Sequence, residues 1–353
     1  MTNSPLRVLQ VAPVIFPTPP PFSGGTERVV AELSAALVAA GHAVTLLAPE
    51  DSALPGIRHV PGLPSLHALQ RRHGTVPPGV PDMLDAVQLD LLRREAPRHD
   101  VVHCHGAFSH AALVSDRPSL TTVHWRLDEL DRQLFFRRFP GLPVAAISAA
   151  QARDLPEGNR AGIVHHGIAA DRYRPGPGGE RLAFVGRMTD QKRPDAAIRI
   201  ARAAGRPVAL AGAVDVGNPH YFRDRVEPLL GPDARHLGEL DDAGKQDLLG
   251  GSAALLFPID WPEPFGLVMI EAMACGTPVI AFDRGSASEI VEHGVSGFVV
   301  RDEHEAVAAI RRLPELDRNT VRVRFEERFT AGRMARDYVA LYRRILSFAA
   351  GTA

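Results

Sequence analysis

Short apolar runs rich in Val, Ile and Leu recur at Arg7–Ala12, Ala43–Ala48, Val101–Cys104, Ser119–Val123 and Val144–Ser148, each bounded by Gly, Pro or charge. Their length and composition predict buried strands. Between the first two, apolar positions at Val29, Val30, Leu33, Ala36 and Leu37 follow a helical period. This predicts a helix over Glu27–Ala40, ended by Gly41. Strand, glycine-containing loop, helix, glycine, strand is a βαβ unit, and such units build parallel sheets.

The pattern breaks at Asp171–Arg181, where Pro and Gly are dense and little can pack. It then restarts, with strands predicted at Leu182–Val185, Pro207–Ala211, Ala253–Phe257, Pro278–Ala281 and Phe298–Val300. Helices are predicted at Arg193–Ala204, Gly266–Ala274 and Ala287–Glu292. The tail Ala331–Phe348 sets Met334, Tyr338, Leu341, Tyr342 and Ile345 on or near one face of an amphipathic helix. The expectation is an α/β chain of two Rossmann-like doubly wound domains, residues 1–170 and 171–330, with a C-terminal helix over 331–353 packing back towards the first. Two such domains place a ligand in the cleft between them, near the carboxyl ends of their strands. Residues 52–100 are less regular, with one helix predicted at Asp82–Arg94. They suit acceptor specificity or a variable surface loop equally well.

Composition narrows the function. The chain has 353 residues, 45% of them hydrophobic, and a formal net charge of -1. That is enough for two cores, and it lacks the basic excess of a general nucleic-acid binder. The two cysteines, Cys104 and Cys275, lie far apart, which argues against a disulfide framework and for a reducing, cytoplasmic setting. Met1 to Leu6 is polar and is not expected to be a signal peptide. No apolar run reaches the roughly 18–20 residues that span a bilayer. At most a peripheral membrane association is expected, towards a lipid-linked acceptor.

Three segments carry candidate chemistry. In Trp261–Glu271, prolines at 262 and 264 bracket Glu263, and a helix starts near Gly266. Backbone N–H groups of Phe265, Gly266 and Leu267 at such a helix start favour anions and hydroxyl oxygens. Glu263 and Glu271 then supply two carboxylates spread along a ligand, suited to a sugar hydroxyl and a ribose diol. Taken singly, either carboxylate also fits an ordinary helix Glu. In Gly186–Lys192, Arg187 and Lys192 bring two cations to a strand's carboxyl end, which suits a diphosphate leaving group. An ordinary basic loop is the alternative. Ser23-Gly24-Gly25-Thr26 lets a phosphate or sugar approach a helix start, but it is neither a dinucleotide fingerprint nor a Walker loop.

His103, His105 and His124 follow or end apolar strands. Without an acid-rich partner segment they make a weak zinc set, and no metal is expected. His124 ends its strand, where an active-site residue or a structural histidine fits equally. The motifs of zinc peptidases and serine hydrolases are absent.

At these residues the sequence resembles the retaining GT-B glycosyltransferases of glycosyltransferase family 4. The resemblance is densest in EPFGLVMIEAMACGTPVIAF (Glu263–Phe282) and EIVEHGVSGFVV (Glu289–Val300). It extends to SGGTERVV (Ser23–Val30), VVHCHG (Val101–Gly106), TTVHW (Thr121–Trp125), AISAAQ (Ala146–Gln151) and HHGIAADRYRP (His165–Pro175). It implies a GT-B fold and a retaining transfer of a hexose from a nucleoside-diphosphate sugar, of UDP-glucose or GDP-mannose type. The acceptor would be a hydroxyl of a glycan, a lipid-linked sugar or a small molecule. Arg187 and Lys192 would hold the diphosphate, and Glu263 a hydroxyl of the transferred sugar. The Phe265–Leu267 backbone, including Gly266, would bind sugar hydroxyls and phosphate, and Glu271 the ribose. His124 would line the reaction centre, and Gly24 and Gly25 would lie beneath the phosphates. No cofactor beyond the nucleotide sugar is implied, and no metal. Two positions depart from the family pattern: RGSASEIVE lacks a proline before the helix Glu, and His166 stands where an asparagine is common.

The implied chemistry is a front-face displacement, with Arg187 and Lys192 stabilising the leaving diphosphate. The alternatives are a GT-B enzyme of another reaction, a disaccharide phosphorylase or nucleotide-sugar epimerase, and a non-catalytic nucleotide-sugar binding subunit. Base recognition is expected from the loop backbone near Ala213–Asp215 and Gly238–Leu240.

Overall fold

A computed structural model describes residues 4–22, 24–107, 109–114 and 117–351. It divides into two compact units, Met1–Ala169 with Ala331–Ala353, and Ala170–Thr330. Each is an α/β layer structure around one parallel sheet.

The first unit holds seven parallel strands: β1 (Arg7–Val11), β2 (Ala43–Ala48), β3 (Arg58–Pro61), β4 (Val101–Cys104), β5 (Ser119–Thr122), β6 (Val144–Ala146) and β7 (Arg160–Ile163). Their order is β3-β2-β1-β4-β5-β6-β7. Parallel strands covered on both faces read as near-continuous apolar runs, which is why the central ones stand out in the sequence. Leu9, Val11, Leu47, Val102 and Cys104 pack with Leu92 and Ala96 on one face, and Ala12, Leu46 and Ala48 pack with Val30 on the other. The helix Ala331–Gly351 packs on the helix Gly25–Ala39 and buries Tyr338 and Tyr342 completely. Its start is anchored by the Ala331 N–H, which donates to the Ile168 carbonyl at 2.8 Å.

Residues 52–100 are more ordered than their sequence suggests. They contain the edge strand β3 and two helices, Leu66–His73 and Val80–Glu95, where one helix is expected. Leu66–His73 buries none of its residues and so leaves no apolar period to read. Polar contacts start it instead. Ser65 Oγ accepts from the Ala68 N–H at 3.1 Å, and Asp51 accepts from the Ser65 N–H and Oγ at 2.8 and 2.7 Å.

The second unit holds six parallel strands: β8 (Leu182–Val185), β9 (Val208–Ala211), β10 (Ala234–His236), β11 (Ala254–Phe257), β12 (Val279–Phe282) and β13 (Gly297–Val300). Their order is β10-β9-β8-β11-β12-β13. Leu182, Phe184, Leu210, Leu256, Ile280 and Phe298 form its core with Ile198, Ala201 and Ile310 from the helices. Among the described residues, no helix is long and apolar enough to cross a membrane.

Candidate functional site

In the second sheet the strand order reverses between β8 and β11. Ligands of doubly wound sheets bind outside the carboxyl ends of the strands at such a reversal. The two segments that emerge there are Gly186–Lys192 after β8 and Pro258–Phe265 after β11. Their backbones are joined where the Asp260 N–H donates to the Gln191 carbonyl at 2.9 Å.

Lys192 and Glu263 meet at this junction. The Lys192 ammonium donates to Glu263 Oε2, and the Trp261 indole N–H donates to the same oxygen at 2.7 Å. The ammonium also lies 4.8 Å from the Trp261 ring centre, a cation–π distance. Glu263 is buried, and these two donors satisfy its Oε2. Its backbone is equally fixed. The Ser286 N–H donates to the Glu263 carbonyl at 2.9 Å, and Ser286 Oγ donates to the Phe265 carbonyl at 2.9 Å. Gly285 makes this approach possible: at φ 57°, a Cβ there would fall 2.2 Å from the Glu263 carbonyl oxygen. The departure at RGSASEIVE therefore lies at a helix start packed directly against the site.

The helix Leu267–Ala274 begins just beyond, with Gly266 at φ 81° and no side chain capping its first turn. Its leading backbone donors are thus left for a ligand. Glu271 lies inside that helix and is buried. Glu271 Oε1 accepts from Lys245 Nζ at 2.7 Å and from the Tyr173 hydroxyl at 3.4 Å. It is therefore not a solvated helix Glu. Arg187 is exposed and forms no ion pair with the described residues. Of the two loop cations, Lys192 is paired with Glu263 and Arg187 is exposed and able to meet an anion. The loops proposed for base recognition sit at the same end of the sheet: the Met188 N–H donates to the Ala213 carbonyl at 2.9 Å, and the Gly212 N–H to the Gly238 carbonyl at 2.8 Å.

In the first unit the order reverses between β1 and β4. Gly24 follows β1 and caps the helix Gly25–Ala39; its φ of 139° and a Cβ clash at 2.7 Å with Pro20 admit only glycine. Ser23 lies outside the described residues. Beneath this turn Glu27 is buried, and its Oε1 accepts from the Phe16 N–H at 3.3 Å. Burial pushes the Glu27 carboxyl up to about 7. A phosphate over Gly24 and Gly25 would thus have a readily neutralised carboxyl below it.

His124, after β5, hydrogen-bonds through Nε2 to His105 Nδ1 at 2.9 Å and stacks on His166 with ring centres 5.0 Å apart. His103 bonds instead to Tyr342 and Thr122, at 2.7 and 2.8 Å. Burial pulls His103, His105 and His166 well below the ordinary histidine range and His124 down to about 3. Both ring nitrogens of His103 and of His105 have neutral hydrogen-bond partners. No metal-holding group of His, Cys, Asp or Glu occurs among the described residues.

The structure therefore brings Lys192, Glu263 and the Phe265–Leu267 turn together, with Glu271 further along the same helix. Trp261, Lys245, Tyr173 and Ser286 complete this arrangement and carry no sequence motif of their own. Lys245 and Tyr173 lie 26 and 98 residues from Glu271, a separation no local motif spans.

The sequence model described as Glycosyltransferase Family 4 matches residues 23–172, and that described as Glycosyl transferases group 1 matches residues 171–329. A glycogen synthase of Mycobacterium tuberculosis (strain ATCC 25618 / H37Rv) is 28% identical over 362 residues, covering 87% of this chain and 86% of the relative. A D-inositol 3-phosphate glycosyltransferase of Mycobacterium bovis (strain BCG / Pasteur 1173P2) is 31% identical over 231 residues, 59% of this chain and 46% of the relative. Among solved structures, sucrose-phosphate synthase from Thermosynechococcus elongatus superposes with a TM-score of 0.79 at 19% identity, covering 98% of this chain and 100% of that one. Anabaena HepE, solved with UDP and glucose, gives 0.71 at 18% identity over 95% and 98% of the two chains. These structural likenesses concern the fold.

Proposed function

We propose, from the premise that this chain is a GT-B glycosyltransferase of the family 4 type, that it is a retaining hexosyltransferase using a nucleoside-diphosphate sugar. The donor is of UDP-glucose or GDP-mannose type, and the acceptor is a hydroxyl of a glycan, a lipid-linked sugar or a small molecule. The observation that carries this reading is the meeting of Lys192 with Glu263 at the reversal of the second sheet, beside an uncapped helix start and the free Arg187. Cations there suit a diphosphate, the carboxylate suits a sugar hydroxyl, and the helix N-terminus suits either. HepE, of the same fold, has been solved with UDP and glucose, and the glycogen synthase relative aligns over most of its length.

In the reaction, the bond between the sugar anomeric carbon and the diphosphate oxygen breaks while the acceptor oxygen bonds to the same face. The acceptor proton passes to the departing phosphate oxygen. Arg187 and Lys192 stabilise the charge that develops on that diphosphate, a preorganised electrostatic contribution. Glu263, held by Trp261 and Ser286, orients the transferred sugar, and Glu271 takes the ribose hydroxyls. In the first unit, Gly24 and Gly25 are the candidates for a phosphate contact and His124 for a contact to the transferred sugar.

A thermal-shift screen against nucleotide sugars identifies the donor, since a ligand that binds only the folded state raises its melting temperature. Proton NMR of the glycoside then made from that donor reads the anomeric configuration. Retention supports the proposal, and an inverted product refutes it.

A further inference from the structure

Buried side chains of the first unit form one hydrogen-bonded line whose direction can be worked out donor by donor. The Tyr342 hydroxyl lies 3.2 Å from Gln10 Nε2 and 2.7 Å from His103 Nδ1. Gln10 Nε2 is an amide donor, so the Tyr342 oxygen accepts from it and directs its own proton to His103 Nδ1. His103 is neutral, which leaves its proton on Nε2, where it donates to Thr122 Oγ1 at 2.8 Å. In the other direction Gln10 Oε1 can only accept. His105 Nε2, 2.7 Å away, must therefore carry the proton. His105 Nδ1 is then a lone pair, and it accepts from the His124 Nε2–H at 2.9 Å. His124 is left with an unprotonated Nδ1, buried and with no hydrogen-bond partner among the described residues.

We propose that Gln10, acting through His105, is a positioning residue for His124, fixing it as the Nε2–H tautomer so that Nδ1 is a hydrogen-bond acceptor for a sugar hydroxyl. The inference rests on the reading that His124 lines the site of transfer. An acceptor nitrogen selects a hydroxyl, which can donate, and repels an unprotonated phosphate or carbonyl oxygen. Gln10 and Tyr342 are fully buried and His105 is 4% exposed, so water does not compete for these groups. The lone pair at Nδ1 is the one unfilled position at the end of the line, and an unfilled buried polar atom is costly unless a ligand completes it. The stacked His166 ring, inclined by 17°, holds the plane of His124.

Reversing the Gln10 amide would reverse every proton in the line. His105 Nδ1–H would then donate to His124 Nε2, and His124 would present an Nδ1–H donor instead. Nitrogen NMR of the full chain with isotope-labelled histidine separates the two, with His124 signals identified by their loss in His124→Asn. The expected result at neutral pH is a protonated Nε2 and a bare Nδ1; a protonated Nδ1 overturns the proposal. Gln10→Met keeps the side-chain length and removes the amide. It is expected to let both His124 tautomers coexist and to lower kcat about tenfold, the effect of one hydrogen bond, with little change in donor KM. An unmoved His124 spectrum or an unchanged kcat in this variant overturns the proposal. The wild-type spectrum alone decides the tautomer if Gln10→Met folds poorly. His124→Asn with undiminished kcat refutes the role of His124 in transfer, a failure distinct from that of the tautomer lock.

Discussion

Lys192, half-buried, and Glu263, buried, form an ion pair that joins the loop after β8 to the segment after β11. The cation assigned to the diphosphate and the carboxylate assigned to the sugar are thus partners before any donor arrives. Removing Lys192 leaves a buried carboxylate with only the Trp261 indole as donor. Lys192→Met should destabilise the second unit by about 3 kcal/mol, within the range for breaking a buried pair. Glu263→Gln should cost less, and the double variant should recover part of the loss. Urea unfolding of the four proteins checks this; additive effects would show that the pair is not coupled.

Gly285 gives a geometric test of Glu263. A methyl group at 285 would lie 2.2 Å from the Glu263 carbonyl oxygen, at a φ that disfavours any side chain. Gly285→Ala should displace Glu263 by a fraction of an ångström or more and lower kcat by roughly 100-fold, as small misplacements of positioning groups do. Steady-state kinetics at saturating donor measures it.

Lys245 tests the ribose assignment. It pairs with Glu271 at 2.7 Å, in a buried setting. Lys245→Met should leave Glu271 uncompensated and weaken nucleoside diphosphate binding about tenfold or more, equivalent to losing one charged hydrogen bond. Calorimetric titration with the diphosphate reads the change. Unaltered affinity would separate Glu271 from the ribose.

Glu27 sets a pH dependence of stability. Its carboxyl is raised by burial from 4.5 to about 7 in the folded chain. The folded state therefore holds the proton more tightly than the unfolded state. That contribution is full below about pH 4.5 and is lost as pH rises through 7, amounting to about 3 kcal/mol. Glu27→Gln, which keeps an acceptor for the Phe16 N–H, should be more stable than wild type at pH 8 and similar at pH 4. Melting curves across pH measure the difference, and an offset constant with pH would contradict it. The buried histidines act with the opposite sign: their depressed values remove stability as pH falls below 6.5.

What could be read in advance follows from where each signal lies. Buried parallel strands announce themselves as apolar runs, so Ala43–Ala48, Val101–Cys104 and Leu182–Val185 are located to the residue. The helix Leu66–His73 buries no side chain and the edge strand Arg58–Pro61 buries only Val60, so both escape a hydrophobic reading. The same division runs through the site. Glu263 and Glu271 stand in one continuous motif. The groups that hold them, Lys245, Tyr173 and Ser286, arrive from other parts of the fold. The direction of the Gln10–His105–His124 line is invisible in sequence, because it depends on which end of an amide faces Tyr342.

Arg187 offers the most direct test of diphosphate stabilisation in this enzyme. It is exposed and bears no ion pair among the described residues, so Arg187→Ala removes no described salt bridge. Release of nucleoside diphosphate from the donor found in the thermal-shift screen, measured with acceptor present, compares the two proteins. The proposed role calls for an unchanged melting temperature and turnover reduced by about 100-fold, the scale of one lost transition-state charge contact. Near-wild-type turnover in Arg187→Ala would contradict it.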